Sequence, residues 1–116
     1  MKKEYRIKKL SEIDCVFKKK MSKGNDCFVI YYDNSEELHF RFSISIGRKY
    51  GNAVERNLSK RRIRQIVALN KDLISNKLFV VVVKKEASNL SYQEMKEKIE
   101  ELLIKTKIME KKDEQK

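Results

Sequence analysis

The stretch Leu78-Phe79-Val80-Val81-Val82-Val83 constrains this chain more than any other. It is continuously apolar and almost entirely β-branched, and it falls far short of the roughly 20 residues of a membrane span. A run of this kind reads as a strand buried on both faces, which obliges the rest of the chain to cover it. Two further segments have strand character. Cys27-Phe28-Val29-Ile30-Tyr31-Tyr32 is rich in aromatic and β-branched residues. Residues 38–46 alternate, with Phe40, Phe42, Ile44 and Ile46 on one face and Arg41, Ser43 and Ser45 on the other. The polar turn Asp33-Asn34-Ser35-Glu36-Glu37 lies between these two, and they are expected to pair as a hairpin.

Helices frame the strands. Ser11 is placed to cap a first helix, with Leu10 just before it and Ile13, Val16 and Phe17 at helical spacing. Lys18, Lys19 and Lys20 suit the negative end of that helix dipole. Lys23-Gly24-Asn25-Asp26 reads as a turn. Asn52 with Glu55, and Ser91 with Glu94, are two capping boxes. The first opens a helix expected to run to about Leu69. The second opens a last helix whose Met95, Ile99, Leu102 and Leu103 should pack on the sheet. The order is helix-strand-strand-helix-strand-helix. It implies an α+β fold, one two-layer domain over 1–116 with a central, mostly antiparallel sheet packed by helices. With no Pro and three Gly, no linker divides the 116 residues, and 41% hydrophobic residues allow a small but real core. Residues 1–9 form a basic arm, and the charged tail 107–116 is expected to fray.

Charge narrows the function. Lys and Arg number 28 against 17 Asp and Glu, a formal charge of +11. Nucleic acid, an anionic membrane surface and an acidic protein are the partner classes this admits. The start, MKKEYRIKKLSEID, lacks the apolar segment of a secretory signal, and Cys15 and Cys27 make neither a disulfide framework nor a zinc pattern. Both points suggest a cytoplasmic protein with free thiols. An autonomous active site is missing its parts. His39 is the only histidine, the carboxylates are scattered, and Gly47 and Gly51 bracket Arg48-Lys49-Tyr50 without forming a phosphate loop.

The helix from Asn52 is the exception. Arg56, Lys60 and Arg64 recur every fourth residue along one stripe, flanked by Asn57 and Arg61, while Ile63, Ile66 and Leu69 lie largely opposite. A solvated helix face would carry mixed signs and i,i+4 ion pairs. Here Glu55 is the only acid between Ala53 and Leu69, facing Arg56, Lys60, Arg61, Arg62 and Arg64. Like charges at these spacings oppose helix formation, and a polyanion is the simplest compensation. The preponderance of Arg suits bidentate phosphate contacts.

The segment Gly51-Asn52-Ala53-Val54-Glu55-Arg56-Asn57-Leu58-Ser59-Lys60-Arg61-Arg62-Ile63-Arg64 closely resembles the signature of the protein subunit of bacterial ribonuclease P, whose core reads G-N-A-V-x-R-N-R-x-K-R-x-x-R. The resemblance extends to the basic start with Phe17, the FVIYY strand, the strand into Arg48-Lys49, the LFVVVV strand, and Ala87-Ser88 before Tyr92. It implies an α+β fold with a left-handed β-α-β crossover, a hand the general rule for parallel strands would not choose. It also implies that the catalyst is an RNA subunit. Magnesium is then held mainly by that RNA and the substrate, with none bound by the protein alone. The protein is implied to be monomeric by itself, to bind that RNA and precursor tRNA, to help remove the 5′ leader and to have no membrane partner. Positions matching the family's leader contacts are Ile13, Phe17, Tyr31, Lys60 and Arg64; those matching its RNA-subunit contacts are Arg56, Asn57 and Arg61, and Lys60 and Arg62 are expected to join them. Phe17 and Tyr31 can stack on unpaired bases, although on the residues alone simple core packing is the preferred reading of both. Two departures stand out. Ile13 replaces a usual aromatic, and Leu58 stands where the motif has its second Arg, while Arg62, one turn later, takes a usually apolar position. A ribosomal-type RNA-binding module and a membrane-surface protein are the rival classes. The long motif argues against the first, and the absence of Trp and of bulky residues on the helix's apolar face argues against the second.

Overall fold

The computed structural model describes residues 5–35 and 38–109. Its elements are α1 (Leu10–Lys18), β1 (Ser22–Gly24), β2 (Phe28–Asn34), β3 (Arg41–Ile46), α2 (Ala53–Leu69), β4 (Lys77–Val83) and α3 (Tyr92–Lys105). Short 3-10 turns at Arg48–Tyr50, Lys71–Leu73 and Lys85–Asn89 link them.

The four strands lie in the order β1-β2-β4-β3. The expected hairpin between the second and third strands does not form. β4 is inserted between them, antiparallel to β2 from Phe28↔Val83 to Asn34↔Lys77 and parallel to β3 from Arg41↔Leu78 to Ile46↔Val83. The physical reason is the apolar run itself. A strand without a polar face is stable only inside a sheet covered on both sides, whereas β3, with Ser43 and Ser45 on its second face, tolerates the edge. β3, α2 and β4 thus form a parallel crossover. Ser22–Gly24, at the start of the segment read as a turn, pairs with β2 as the short edge strand β1.

Side-chain alternation puts Phe28, Ile30, Phe42, Phe79 and Val81 on one face of the sheet, where they form a single core with Ile63, Ile66 and Val67 of α2 and Met95, Ile99, Leu102 and Leu103 of α3. The opposite face carries Tyr31, Val80 and Ser43 in one cross-strand row. α1 lies against β2 and β4 there, with its Val16 fully buried.

Local chemistry fixes the ends of α2. Asn52 Oδ1 accepts from the Glu55 amide at 2.9 Å, and Glu55 Oε1 accepts from the Asn52 amide at 2.9 Å. A Cβ at Gly51 would stand 2.5 Å from Glu55 Oε1, so a larger residue there would displace the carboxylate from its bond to the Asn52 amide. The same reciprocal box joins Ser91 and Glu94 at the head of α3, and the Ser91 amide and hydroxyl hold the Glu94 carboxyl below its ordinary pKa. α1 differs from expectation. It starts at Leu10, and Lys9 occupies the cap position without a side-chain capping bond, so Ser11 sits in the first turn rather than ahead of it. A tertiary ion pair fixes this end instead. Arg41 on β3 donates to both Glu12 oxygens at 2.9 Å, and this guanidinium holds the Glu12 carboxyl below its ordinary pKa. The chain leaves α1 through Lys20, whose φ of 58° is left-handed.

Both ends of the described chain are docked. Within the stretch read as a basic arm, the Ile7 amide donates to the Phe42 carbonyl at 3.0 Å, Arg6 bridges to Phe42, and Tyr5 packs on His39 and Phe40. Within the stretch read as a fraying tail, Ile108 and Met109 are buried in the core and Ile74 bridges to Met109. Residues 1–4 and 110–116 lie outside the described residues.

Candidate nucleic-acid interface

The polar side of α2 builds a cationic groove. Because α2 spends Ile63, Ile66 and Val67 on the core, Asn57, Lys60, Arg61 and Arg64 are directed away from it. These four residues, with Gln65, Ala68 and Arg6, line an open cavity of about 780 Å³. A smaller cavity of about 250 Å³ shares Arg6, Lys60 and Arg64 and is completed by Ile7, Phe42, Ser43 and Ile44. Among the described residues no carboxylate lines either one. Arg64 shows the electrostatic consequence: burial first, and the charge of Arg6 second, push its pKa down. Cations gathered without acids repel one another, so the site gains most from an anion that several of them share.

The aromatic pair forms on the far side of α1. Phe17 and Tyr31 meet edge to face, with ring centroids 4.8 Å apart and planes at 75°, and both are half-buried. α1 therefore crosses the outer face of the sheet from β3, where Glu12 is tied to Arg41, to β2, where Phe17 touches Tyr31. Half-buried Ile13 lies one turn before Phe17. Tyr31 and Ser43 flank Val80 in register, so about 10 Å of sheet separates the aromatic pair from the wall of the smaller cationic cavity.

The structure sorts the residues singled out in the sequence. Phe17 joins Tyr31, and Asn57, Lys60, Arg61 and Arg64 share one cavity. Arg56 turns back, its Nη1 donating to the Gly51 carbonyl at 3.0 Å, which braces the entry to α2. Arg62 stands apart from the groove. With Leu58, Ser59, Tyr50, Glu55, Ser88 and Leu90 it lines a separate cavity of about 120 Å³. Arg6 and Gln65 were not singled out. Gln65 follows from the helical position beside Arg61 and Arg64, whereas Arg6 has no local signal, since it arrives by docking on β3. His39 donates from Nδ1 to the Phe40 carbonyl at 2.8 Å and packs on Tyr5 with the rings tilted. Cys15 is exposed, and Cys27 is buried with its thiol pKa pushed up by that burial and by Asp26. Among the described residues no three His, Cys, Asp or Glu side chains are placed to hold a metal ion, and no helix is long and apolar enough to cross a membrane.

The sequence model of the Ribonuclease P family matches residues 1–107. A ribonuclease P protein component from Acholeplasma laidlawii is 51% identical over 112 residues, covering 96% of this chain and 97% of that protein. One from Streptococcus pyogenes is 39% identical over 111 residues, covering 96% and 93%. Among solved structures, a Staphylococcus aureus RNase P protein mutant with defective mRNA degradation activity superposes with a TM-score of 0.88 at 36% identity, covering 92% of each chain. The RNase P protein from Thermotoga maritima gives 0.80 at 28% identity, covering 86% of this chain and 96% of that one. With this breadth of sequence and structural agreement, the chain belongs to the ribonuclease P protein family.

Proposed function

We propose that this protein is the RNA-binding subunit of a ribonucleoprotein endonuclease that removes the 5′ leader of precursor tRNA, and that its two surfaces serve two RNAs. The observation that carries this reading is the groove of Asn57, Lys60, Arg61 and Arg64 on α2, which no acid lines among the described residues. Arg56, Asn57, Lys60, Arg61 and Arg62 are assigned to the catalytic RNA, and Ile13, Phe17, Tyr31, Lys60 and Arg64 to the leader. Arg56 has one guanidinium nitrogen committed to Gly51 and keeps others for phosphate. Phe17 and Tyr31 offer ring faces to unpaired bases, while Lys60 and Arg64 neutralise backbone phosphates. Magnesium ions held by the RNA subunit and the substrate supply the hydrolytic chemistry. The protein orients the leader and screens the charge of two RNAs brought together.

Reconstitution tests this. Mixed with a bacterial ribonuclease P RNA and precursor tRNA at low magnesium, the protein should support a single cut at the 5′ end of the mature sequence, and protein alone should cut nothing. Cutting by the protein alone, or no stimulation of the RNA, would refute the proposal.

Phe17→Ala and Tyr31→Ala are each expected to weaken precursor tRNA binding by about 1–3 kcal/mol, the range for one base–aromatic stack. Mature tRNA, which has no leader, should bind nearly as before. Equal losses for both substrates in folded variants would place the pair in a purely structural role.

Arg62 tests the departure from the motif. Leu58 is 43% exposed and Arg62 half-buried beside it in the same small cavity, one helical turn on. The hypothesis is that the Arg62 stem covers Leu58 while its guanidinium supplies the contact a motif Arg at 58 would make. Arg62→Ala should then weaken binding of the catalytic RNA by about 1–2 kcal/mol, and adding Leu58→Arg should recover part of it. Unchanged affinity and salt dependence in Arg62→Ala would rule this out.

A further inference from the structure

We infer that Arg6 is an additional phosphate-binding residue of the Lys60/Arg64 site, fixed there by the docking of Tyr5–Ile7 on the edge of β3, and that the phosphate it takes belongs to the single-stranded leader. The inference rests on the leader reading of Phe17 and Tyr31 given above.

Three observations support it. First, Arg6 is the one residue outside α2 and β3, apart from its neighbour Ile7, that lines the cationic cavities, and it lines both of them. Second, its backbone is held on each side. Ile7 is buried and bonded to Phe42, and Tyr5 is packed between His39, Phe40 and the Lys71 ammonium, which lies 4.7 Å from the ring centre. An arginine on a pinned backbone loses less freedom on binding than one on a loose arm. Its side chain is nonetheless exposed, so it is available to a ligand. Third, Arg6 works against Arg64 in the free protein, and among the described residues no acid lines the cavities to offset the repulsion. A phosphate between the two guanidinium groups removes that repulsion and accepts from both.

The choice of leader over catalytic RNA follows from position. The smaller cavity is walled by Phe42, Ser43 and Ile44 of β3. Ser43 lies in the same cross-strand row as Tyr31, with only Val80 between. Val80 is fully buried where α1 covers the sheet, so RNA stacked at Phe17 and Tyr31 follows the flank of α1 toward its Glu12–Arg41 end and so reaches the edge of β3, where Arg6 and Arg64 stand. A phosphate farther along that backbone then falls within the reach of these long side chains.

The test uses the reconstituted holoenzyme with three substrates: precursor tRNA with a long leader, precursor with a single leader nucleotide, and mature tRNA. Arg6→Ala should weaken binding of the long-leader substrate by about tenfold, the loss of one charge-assisted contact, and leave the other two within about twofold. Arg6→Gln, which keeps the stem and drops the charge, should lose as much. Lys8→Ala removes an exposed charge two residues away and should match the parent on all three. Arg6→Ala combined with Arg64→Ala should lose less than the product of the single losses, because the two share one phosphate. If Arg6→Ala and Arg6→Gln bind the long-leader substrate like the parent while Tyr31→Ala and Arg64→Ala do not, the inference about Arg6 is wrong and the proposed function stands. If none of these variants distinguishes long leader from mature tRNA, the leader reading itself fails. An Arg6→Ala loss that is equal for all three substrates overturns the assignment to the leader.

Discussion

Raising monovalent salt from about 50 to 200 mM is expected to weaken binding of this protein to its RNA partners by roughly 10²–10³-fold. The groove presents Arg6, Lys60, Arg61 and Arg64, with Arg56 and Arg62 on the same helix, and among the described residues no acid lines its two cavities. If about five phosphates are neutralised, each releasing condensed counterions, the log–log slope lies near −3.5 for unpaired RNA and −4.5 for duplex-like RNA. A titration of binding against salt, followed by filter retention or anisotropy, measures it. A slope near zero would sink the electrostatic account. A surface of exposed lysines with acids interspersed would give a shallow slope, because its charges are already paired with one another. The prediction is also sensitive to single residues. Lys60→Ala should flatten the slope by close to one unit, whereas Lys8→Ala, exposed and outside the groove, should change it little.

The features legible in the sequence are those that depend on neighbours a few residues apart. Asn52 and Glu55 announce the start of α2 because a capping box closes within four residues, and the cationic stripe follows from helical period alone. The apolar run at Leu78–Val83 likewise identifies β4 and its burial. What stays hidden is set by distant partners. The sequence spacing of β2 and β3 favours a hairpin, and only the demand of β4 for two flanking strands separates them. Ser11 has the composition of a cap, but the Arg41 guanidinium, 29 residues away, fixes the register of α1 through Glu12. Arg6 has no periodic context and becomes part of the groove only because Ile7 finds the Phe42 carbonyl. Ile108 and Met109 sit in a charged stretch and read as tail, yet the Ser75 amide and hydroxyl both donate to the Ile108 carbonyl at 2.8 Å and hold the segment on the core. The groove is therefore half local and half tertiary. Its α2 wall is readable in the sequence, whereas its β3 and N-terminal walls are products of folding.

Phe79→Ala is expected to be the most damaging single substitution among the core aromatics, at about 3–5 kcal/mol of folding stability. Phe79 is fully buried on β4, stacked on Phe42 at 5.5 Å and 17° and placed 6.0 Å from Phe40. Truncation removes the transfer free energy of the ring and leaves a void between two strands that cannot close on it, because β2 and β3 are both held in register to β4. For a domain of this size a loss of that order is a large part of the whole stability. The functional consequence is indirect but measurable. α2 presents Lys60 and Arg64 only while Ile63, Ile66 and Val67 on its other side stay packed on the core that contains Phe79. Binding to the folded state alone restores part of the loss, by RT ln(1 + [L]/Kd), about 2.7 kcal/mol at a hundredfold excess over Kd. The variant should therefore show a much lower thermal midpoint in isolation and recover a good part of the difference when a bacterial ribonuclease P RNA is added at low salt. The parental protein gains as much, so the two midpoints stay apart while the bound variant becomes mostly folded at the assay temperature. A variant that melts with the parent without RNA would show that Phe79 is not central to the core. One that gains nothing on adding RNA would show that its folded state no longer binds RNA, so that the groove on α2 does not outlast the loss of Phe79.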